Sequence, residues 1–439
     1  MAKQLQLRGG TTSEHASFTG AAREVTVDTD KDTFVVHDGS TQGGFPAVTE
    51  ERLAALLAQG LTWDEDNDDY TRTGSIADVA TSESAGNTRL IIQSAMRRCV
   101  MNDDGQVVYY LDADDSTQTE FGAVSDLTGG DGQVMVEIPK FYIKYSYAGT
   151  SHSWSISPTR LPGYNLHPAF YKNGEEVDYR YIGAYEGIKY DDGTSAYVDG
   201  VSAGIDTAND VLSSVSGFAP WTDEKRSEFR TVASNRGTGW RQQDYDLVSA
   251  IQLLYLIEYA DWYSQDMIGM GRTELTGDWI ADSYIGKCGK SNVDGNGTNS
   301  VDGDTNDAYM TYRGVENFFG NVWKWVDGIN VNDNMPYICN NDTDFADDTT
   351  TNYIDLNITL PASNDYQKTL EQISRGFLPA SVGGSSSTYI TDYYYQNSGW
   401  RVALLGGHAT YGSTAGVAYW ALNNASSHDS VVISGRLAY

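Results

Sequence analysis

In QDYDLVSAIQLLYLIEYADWYSQ, Leu247 or Val248, Ile251, Leu254 and Tyr255 recur at threes and fours, the period of a helix. Asp244 or Asp246 stands where a cap of its first turn is needed. Apolar residues occupy more than one face, so the helix is expected between layers rather than at the surface. Elsewhere the period is two. Val25, Val27, Phe34 and Val36 alternate with polar neighbours across a DTDK turn, which predicts a half-buried hairpin preceded by a QLQLR strand. VMVEIPKFYIKYSYAG, WSISP and DYRYIGAYEGIKY predict strands of a larger domain. Between these regions, EERLAALLAQG predicts a short helix carrying Leu53, Leu56 and Leu57 and stopped by Gly60. TWDEDNDDYTRTGS reads as an acidic loop, GNTRLIIQSAMRRCV as either helix or strand, and QVVYYLDADDS as a strand and turn.

These patterns predict an α+β protein divided into a β-rich N-terminal domain over 1–46, a connecting domain or stalk over 47–130, and a main domain over 131–439. A hairpin alone is marginal in water. The first segment has so little apolar mass that it is expected to pack either against other copies of itself or on the rest of the same chain.

Composition narrows the partners. Sixty acidic residues against 29 basic ones give a net charge of -31, which repels phosphate backbones and anionic lipid, so nucleic acid is excluded as a target. No run approaches the length of a membrane span and MAKQLQLRGG lacks an apolar signal core, so the chain reads as soluble, made in the cytoplasm and not inserted in a membrane. Thirty Tyr and 10 Trp within 40% hydrophobic residues indicate a globular chain. Cys99, Cys288 and Cys339 are scattered and read as isolated thiols.

The densest motif is YRGVENFFGNVWKWVDG, Tyr312 to Gly328. Asn321, Trp323, Trp325 and Asp327 are spaced by two, which puts both Trp on one strand face, with Gly320 and Gly328 as bounding turn residues. GNVWKWVDG with the later GWRVALLGG resembles the C-type lectin fold of the formylglycine-generating-enzyme family. IPKFYIKY, AFYKNGEEVDYRYIGAYEG and NRGTGWRQQDYDLVSAIQLLYLIEY resemble the main domain of phage tail and tail-fibre proteins of this type. FTGAAREVTVDTDKDTFVVHDGSTQGGFP resembles the first domain of the major tropism determinants, trimeric phage receptor-binding proteins. Together these cover roughly residues 4 to 46 and 135 to 439.

The resemblance implies a lectin-like main domain, a β-prism-like trimerisation domain at the N-terminus, and a C-terminal region, 406–432, diversified by a retroelement. The altered, receptor-contacting positions it implies are Thr410, Tyr411, Thr414, Tyr419, Ala421, His428, Ser430 and Val432. Trp323, Trp325, Asp327, Trp400, Arg401, Trp420 and Arg436 would be scaffold, with Arg401 and Arg436 paired to carboxylates such as Asp327. The expected function is attachment to a host-cell surface receptor, protein or glycan, by a homotrimer at the tip of a tail fibre in the virion, alongside other tail proteins. The rivals are a structural tail component without a receptor and an enzyme degrading surface polysaccharide. The residues of the terminal region support attachment independently: Gly, Ala, Ser, Thr, Asn, Tyr and His make up most of it and Asp429 is its only carboxylate. Amphipathic area joined to adaptable hydrogen bonding is the composition of antibody binding loops.

Catalytic readings fare worse. An oxidase of the formylglycine-generating kind needs a cysteine pair near the end of the fold, and no cysteine follows Cys339. Glycan hydrolysis needs two facing carboxylates; Glu175, Glu176, Asp178 and Glu186 are candidates that an acidic chain supplies by chance. The six His show no metal-ligand spacing, and the glycine runs lack a phosphate-loop ending. Asp294, Asn296, Asp302 and Asp304 are spaced somewhat like a calcium loop, yet Asn299 stands where that loop needs Gly. A solvated acidic turn is preferred to a structural Ca²⁺, and no other cofactor is expected.

Overall fold

The computed structural model describes residues 7–47, 53, 56–81, 83–276 and 285–439. They fall into two compact units, 1–58 and 59–439.

In the first unit, strands Gly9–Gly10, Val25–Asp28, Thr33–Val36 and Phe45–Pro46 form one sheet in chain order. Helix Thr12–Ser17 follows the first strand and opens with a Thr11/Glu14 capping box. The predicted hairpin is present, but its faces are reversed. Val25 pairs with Val36, Val27 with Phe34 and Val36 with Phe45, so these apolar side chains share a face, and that face is the open one: Val25 is 37% exposed, Phe34 54%, Val36 47% and Phe45 54%. The opposite face buries Thr26, Asp28, Thr33, Val35 and His37 together with His15. These polar groups are tolerated because they are paired: Thr26 Oγ1 lies 2.8 Å from His15 Nε2 and 2.9 Å from His37 Nε2. Most of the predicted QLQLR strand, and Glu50–Arg52 with Ala54 and Ala55 of the expected helix, lie outside the described residues, while Leu53, Leu56 and Leu57 are helical.

The second unit is α+β and absorbs most of the stretch expected to be a separate connecting domain. Strands Gln59–Asp64 and Asp69–Gly74 extend a sheet with Ser151–Ser157, Tyr142–Ala148 and Asn165–Leu166. The predicted acidic loop is therefore a hairpin, with its charges at the turn, and Gly60 sits inside a strand rather than ending a helix. Arg97–Met101 and Val107–Tyr110 likewise pair into a six-stranded sheet with Gln133–Pro139, Tyr179–Gly183, Leu437–Ala438 and Arg241–Gln242. The correction has a simple cause: Leu61, Trp63, Val100 and Leu111 belong to the same hydrophobic cluster as the main domain's Val134 and Ile156.

A larger sheet runs in the order Ile354–Asp355, Met335–Ile338, Trp323–Asn332, Trp400–Leu405, Trp420–Asn424, Tyr393–Gln396, Asp365–Leu370, Pro379–Val382, with Ile433–Ser434 beside Trp323. Against it lies the predicted helix, Tyr245–Tyr259, buried at every residue. Asp244 caps it by accepting the Leu247 N–H at 3.0 Å. Gly328, expected to bound the tryptophan strand, lies within it at a bulge between Val326 and Asn330. Its φ of +69° suits glycine, and a Cβ there would meet Cys339 O at 2.6 Å.

Candidate binding surface

Strands Trp400–Leu405 and Trp420–Asn424 are neighbours in the large sheet, and the segment between them is held by side chains from below. Gln252 of the buried helix donates to Val417 O at 2.8 Å. Gln265 Nε2 donates to both Gly412 O and Ala415 O at 2.8 Å. Asp392 accepts the Ala418 N–H at 2.6 Å and Ser264 the Val417 N–H at 3.1 Å. Backbone bonds from Gly412 to Thr273 O, Ala409 to Asn321 O and Leu275 to Ala409 O complete the anchorage. A glycine-rich loop with this many fixed backbone groups is an ordered platform.

On that platform the aromatic rings form a continuous row. Trp323 meets His408 at 4.4 Å and Tyr411 at 4.8 Å, edge-on in both cases. Tyr411 meets Tyr395 at 6.2 Å, Tyr395 meets Tyr393 at 4.7 Å, and Tyr393 meets Tyr366 at 5.2 Å. Tyr366 Oη lies 3.3 Å from Ser413 Oγ, which closes the row onto the loop. Trp323, Tyr366, Tyr393, Tyr395 and Tyr411 are all half-buried, an amphipathic wall rather than a core. Beneath it the buried Tyr419 hydroxyl faces the Trp323 indole N–H and the Tyr411 hydroxyl. Burial, with Lys324 nearby, holds His408 down at about 3, so it is a neutral member of the row. Burial, with Tyr395 nearby, pushes the Tyr411 hydroxyl upward.

The eight residues proposed for receptor contact divide into three groups. Thr410, Tyr411 and Thr414 stand together on the platform: Thr410 N donates to His408 Nδ1 at 3.3 Å and Thr414 Oγ1 donates to Tyr411 O at 2.6 Å. His428 and Ser430 lie on a second loop, half-buried, where Ser430 O accepts the Asp223 N–H at 3.0 Å. No hydrogen bond or ring contact joins them to the first group. Tyr419, Ala421 and Val432 are corrections. They are buried, because Tyr419 and Ala421 point into the cluster containing Trp325 and Leu404, and Val432 leads into the Ile433 strand beside Trp323. Their side chains cannot meet a partner in this conformation.

The row also contains residues that sequence reasoning passed over. In TDYYYQ, Tyr393 and Tyr395 share a strand face while Tyr394 is buried, an alternation legible in the sequence once a strand is assigned. Nothing local signals that Tyr366 joins them.

Among the scaffold positions, Trp325 is buried and donates to Glu224 O at 3.0 Å, while Trp420 is buried and donates to Phe377 O at 2.9 Å. Trp400 is half-buried beside Tyr337. The expected pairing of Asp327 with Arg401 or Arg436 does not occur. Asp327 is held by Arg230, Nε at 2.6 Å and Nη2 at 3.0 Å. Arg436 instead donates to the carbonyls of Gly183, Glu316 and Asn317, and Arg401 to that of Trp400. Trp323 belongs to the row as much as to the scaffold.

Three of the four carboxylates considered for hydrolysis have structural partners. Glu176 and Asp178 both hold Lys140 at 2.7 Å, Glu175 lies in a two-residue strand on the surface, and buried Glu186 pairs with Lys324 at 3.1 Å. Three of the four calcium candidates are likewise engaged: Asp294 accepts Asn299 Nδ2, Asn296 accepts the Arg98 N–H, and Asp302 accepts the Gly271 N–H. Among the described residues no group of three or more His, Cys, Asp or Glu is placed to hold a metal. The three cysteines are free and buried. No helix among the described residues is long and apolar enough to cross a membrane.

Residues 5–41 match the family described as the major tropism determinant N-terminal domain. Over 75 residues the chain is 51% identical to the tail fiber receptor-binding protein of Bordetella phage BPP-1, an alignment covering 17% of this chain and 19% of that protein. The chain thus matches about a fifth of the length of that curated relative. Solved structures of the M1 and P3c variants of the Major Tropism Determinant align over 99% of this chain and 98% of theirs, at 17% and 16% identity and a TM-score of 0.26, a value too low to argue from.

Proposed function

We propose that the chain is the receptor-binding protein of a phage tail fibre, presenting an aromatic and small-polar surface on a C-type lectin-like scaffold to a host-cell receptor. The observation that carries this reading is the row from Trp323 through Tyr411 and Tyr395 to Tyr366, half-buried on three strands and a loop whose backbone is tied down by Gln252, Gln265 and Asp392. Tyrosine gives large contact area at the cost of ordering two torsions, and a pre-ordered loop loses little further entropy on binding. The name of the 51%-identical relative and the family match at the N-terminus support the same assignment. No catalytic step belongs to it.

In this reading the chain acts as a homotrimer in the virion, at the fibre tip, assembled through the β-prism-like first domain. The outward apolar face of Val25, Phe34, Val36 and Phe45 supports this, since such a face is expected to be covered by other copies. Three sites on one mount then raise avidity by about 10²–10⁴ over a single site. The solvent-facing positions of the terminal loops, Thr410, Tyr411, Thr414, His428 and Ser430, are those a diversifying retroelement could alter without loss of folding. Sequencing the flanking genome tests that part: a reverse transcriptase with a near-copy of the gene's 3′ end differing at adenines is the expected result, and a near-copy varying only at the codons of buried Tyr419, Ala421 and Val432 would contradict it.

A further inference from the structure

The Trp323–Asn332 strand starts over a buried polar cluster. Its second residue, Lys324, is 0% exposed, as is Glu186, while Asn321 is 1% and Asn317 3% exposed. One carboxylate gathers the group. Glu186 Oε1 lies 3.1 Å from Lys324 Nζ, and Oε2 accepts Asn321 Nδ2 at 2.7 Å and Asn317 Nδ2 at 3.2 Å. Lys324 Nζ also donates to Gly320 O at 2.7 Å, the carbonyl of the peptide bond that enters Asn321. The lysine therefore curls back over the turn that precedes its strand.

Asn321 is fixed in place. Its φ of +55° puts it in the left-handed region, its N–H donates to Arg272 O, and its carbonyl accepts the Ala409 N–H. The side-chain amide is held at both ends: Oδ1 accepts the Gly286 N–H at 2.9 Å, and Nδ2 donates to Glu186. Each group then has a role in acyl transfer. Burial pushes Lys324 down to about 8, so near neutral pH some of the molecules carry a free amine there, which is a nucleophile. The Gly286 N–H polarises the Asn321 amide and is placed to hold its oxygen as negative charge develops. Glu186 touches both the amine that must lose a proton and the amide nitrogen that must gain one. A buried ion pair contributes little net stability, whereas an amide keeps the contact without the cation. Arg272 and Arg436 also face Glu186, so the carboxylate retains counter-charge once the amine is consumed.

We propose that Lys324 and Asn321 join in an autocatalytic isopeptide bond. Lys324 Nζ attacks Asn321 Cγ, and Glu186 takes a proton from Nζ and delivers one to Nδ2. The Cγ–Nδ2 bond breaks, ammonia leaves, and a Cγ–Nζ amide remains; no oxidant or further reactant is needed. Glu186 is regenerated as a carboxylate and accepts the new amide N–H. The bond ties the start of the strand bearing Trp323, one end of the aromatic row, to the turn beneath it. The proposal stands independently of the receptor reading.

Mass spectrometry of the denatured full-length protein tests it. After allowance for the initiator methionine, wild type should be lighter than its sequence by the mass of one ammonia, and trypsin should fail to cut after Lys324. Fragmentation of a peptide spanning 317–324 should separate Asn317 from Asn321 but give no fragments from within 321–324. Lys324→Met and Glu186→Gln should both restore the full mass; the second keeps a hydrogen-bonding side chain but cannot relay the proton. Where either variant does not fold, the wild-type mass alone decides. Full sequence mass in folded wild type, a loss of ammonia that persists in Lys324→Met, or a cross-link mapped to Asn317 would each overturn the proposal.

Discussion

Asp392 accepts the Ala418 N–H at 2.6 Å, and Gly416 approaches the same carboxylate so closely that a Cβ on it would lie 2.0 Å from Asp392 Oδ1. This contact joins the strand bearing Tyr393 and Tyr395 to the loop bearing Tyr411, and so sets the spacing of the aromatic row. Gly416→Ala is expected to displace the loop and cost about 1–3 kcal/mol. Asp392→Ala, which strands a buried backbone N–H, is expected to cost about the same. Hydrogen exchange checks both: amides of 409–418 should lose protection ahead of the rest of the large sheet. Unchanged protection would place the loop's order elsewhere.

Core and surface positions within the terminal region should respond differently to substitution. Tyr419→Ala and Trp420→Ala remove fully buried rings and are expected to cost about 3–5 kcal/mol. Thr410→Val and Thr414→Val, at half-buried sites, should stay within roughly 0.5 kcal/mol or so. Chemical denaturation of the four variants distinguishes them.

That division was only partly legible in the sequence. The helix over 245–259 and its Asp244 cap were readable because period and capping are local. The tryptophan strand was readable from its alternation. The fate of 47–130 was not, since Gln59–Asp64 joins its sheet through Ser151–Ser157, a pairing across some ninety residues. The reversed faces of the N-terminal hairpin escaped for another reason: alternation fixes which residues share a face, not which face is covered. Arg230 as the partner of Asp327 was hidden in the same way, because a charge pair between a helix and a distant strand leaves no periodic trace. In the terminal segment, composition alone could not separate Tyr411, at the surface, from Tyr419 eight residues on.

The open apolar face of the first unit predicts an assembly that breaks on charge insertion. Phe34→Asp and Val36→Lys should each convert a trimer into monomers by light scattering. Because both positions are about half exposed in the single chain, circular dichroism of the monomers should remain close to that of the parent. A wild-type chain that is monomeric at micromolar concentration would remove the trimer from the reading.

His408 predicts a pH dependence with a definite sign. Burial, with Lys324 nearby, lowers it to about 3, and burial, with Arg375 nearby, lowers His167 to about 3. An unfolded chain binds these protons near pH ~6.5, whereas the folded one does not until far lower. Stability is therefore full above that range and falls as the solution is acidified towards pH ~3, by up to about 1.4 kcal/mol per pH unit for each histidine. Between pH ~6.5 and ~5, before most carboxylates titrate, burial holds His152 down as well, so His408→Asn should lower the histidine slope by roughly a third. An identical slope would mean that His408 is protonated in the folded chain.

The central claim is that the aromatic row meets a foreign surface, and its most direct test is the binding of labelled full-length protein to bacterial cells, measured by flow cytometry. Wild type should bind a subset of strains, and the combined Tyr393→Ala, Tyr395→Ala and Tyr411→Ala variant should lose that binding by about a hundredfold or more while keeping a trimer and a nearly unchanged Tm. Undiminished binding by a folded triple variant would contradict it.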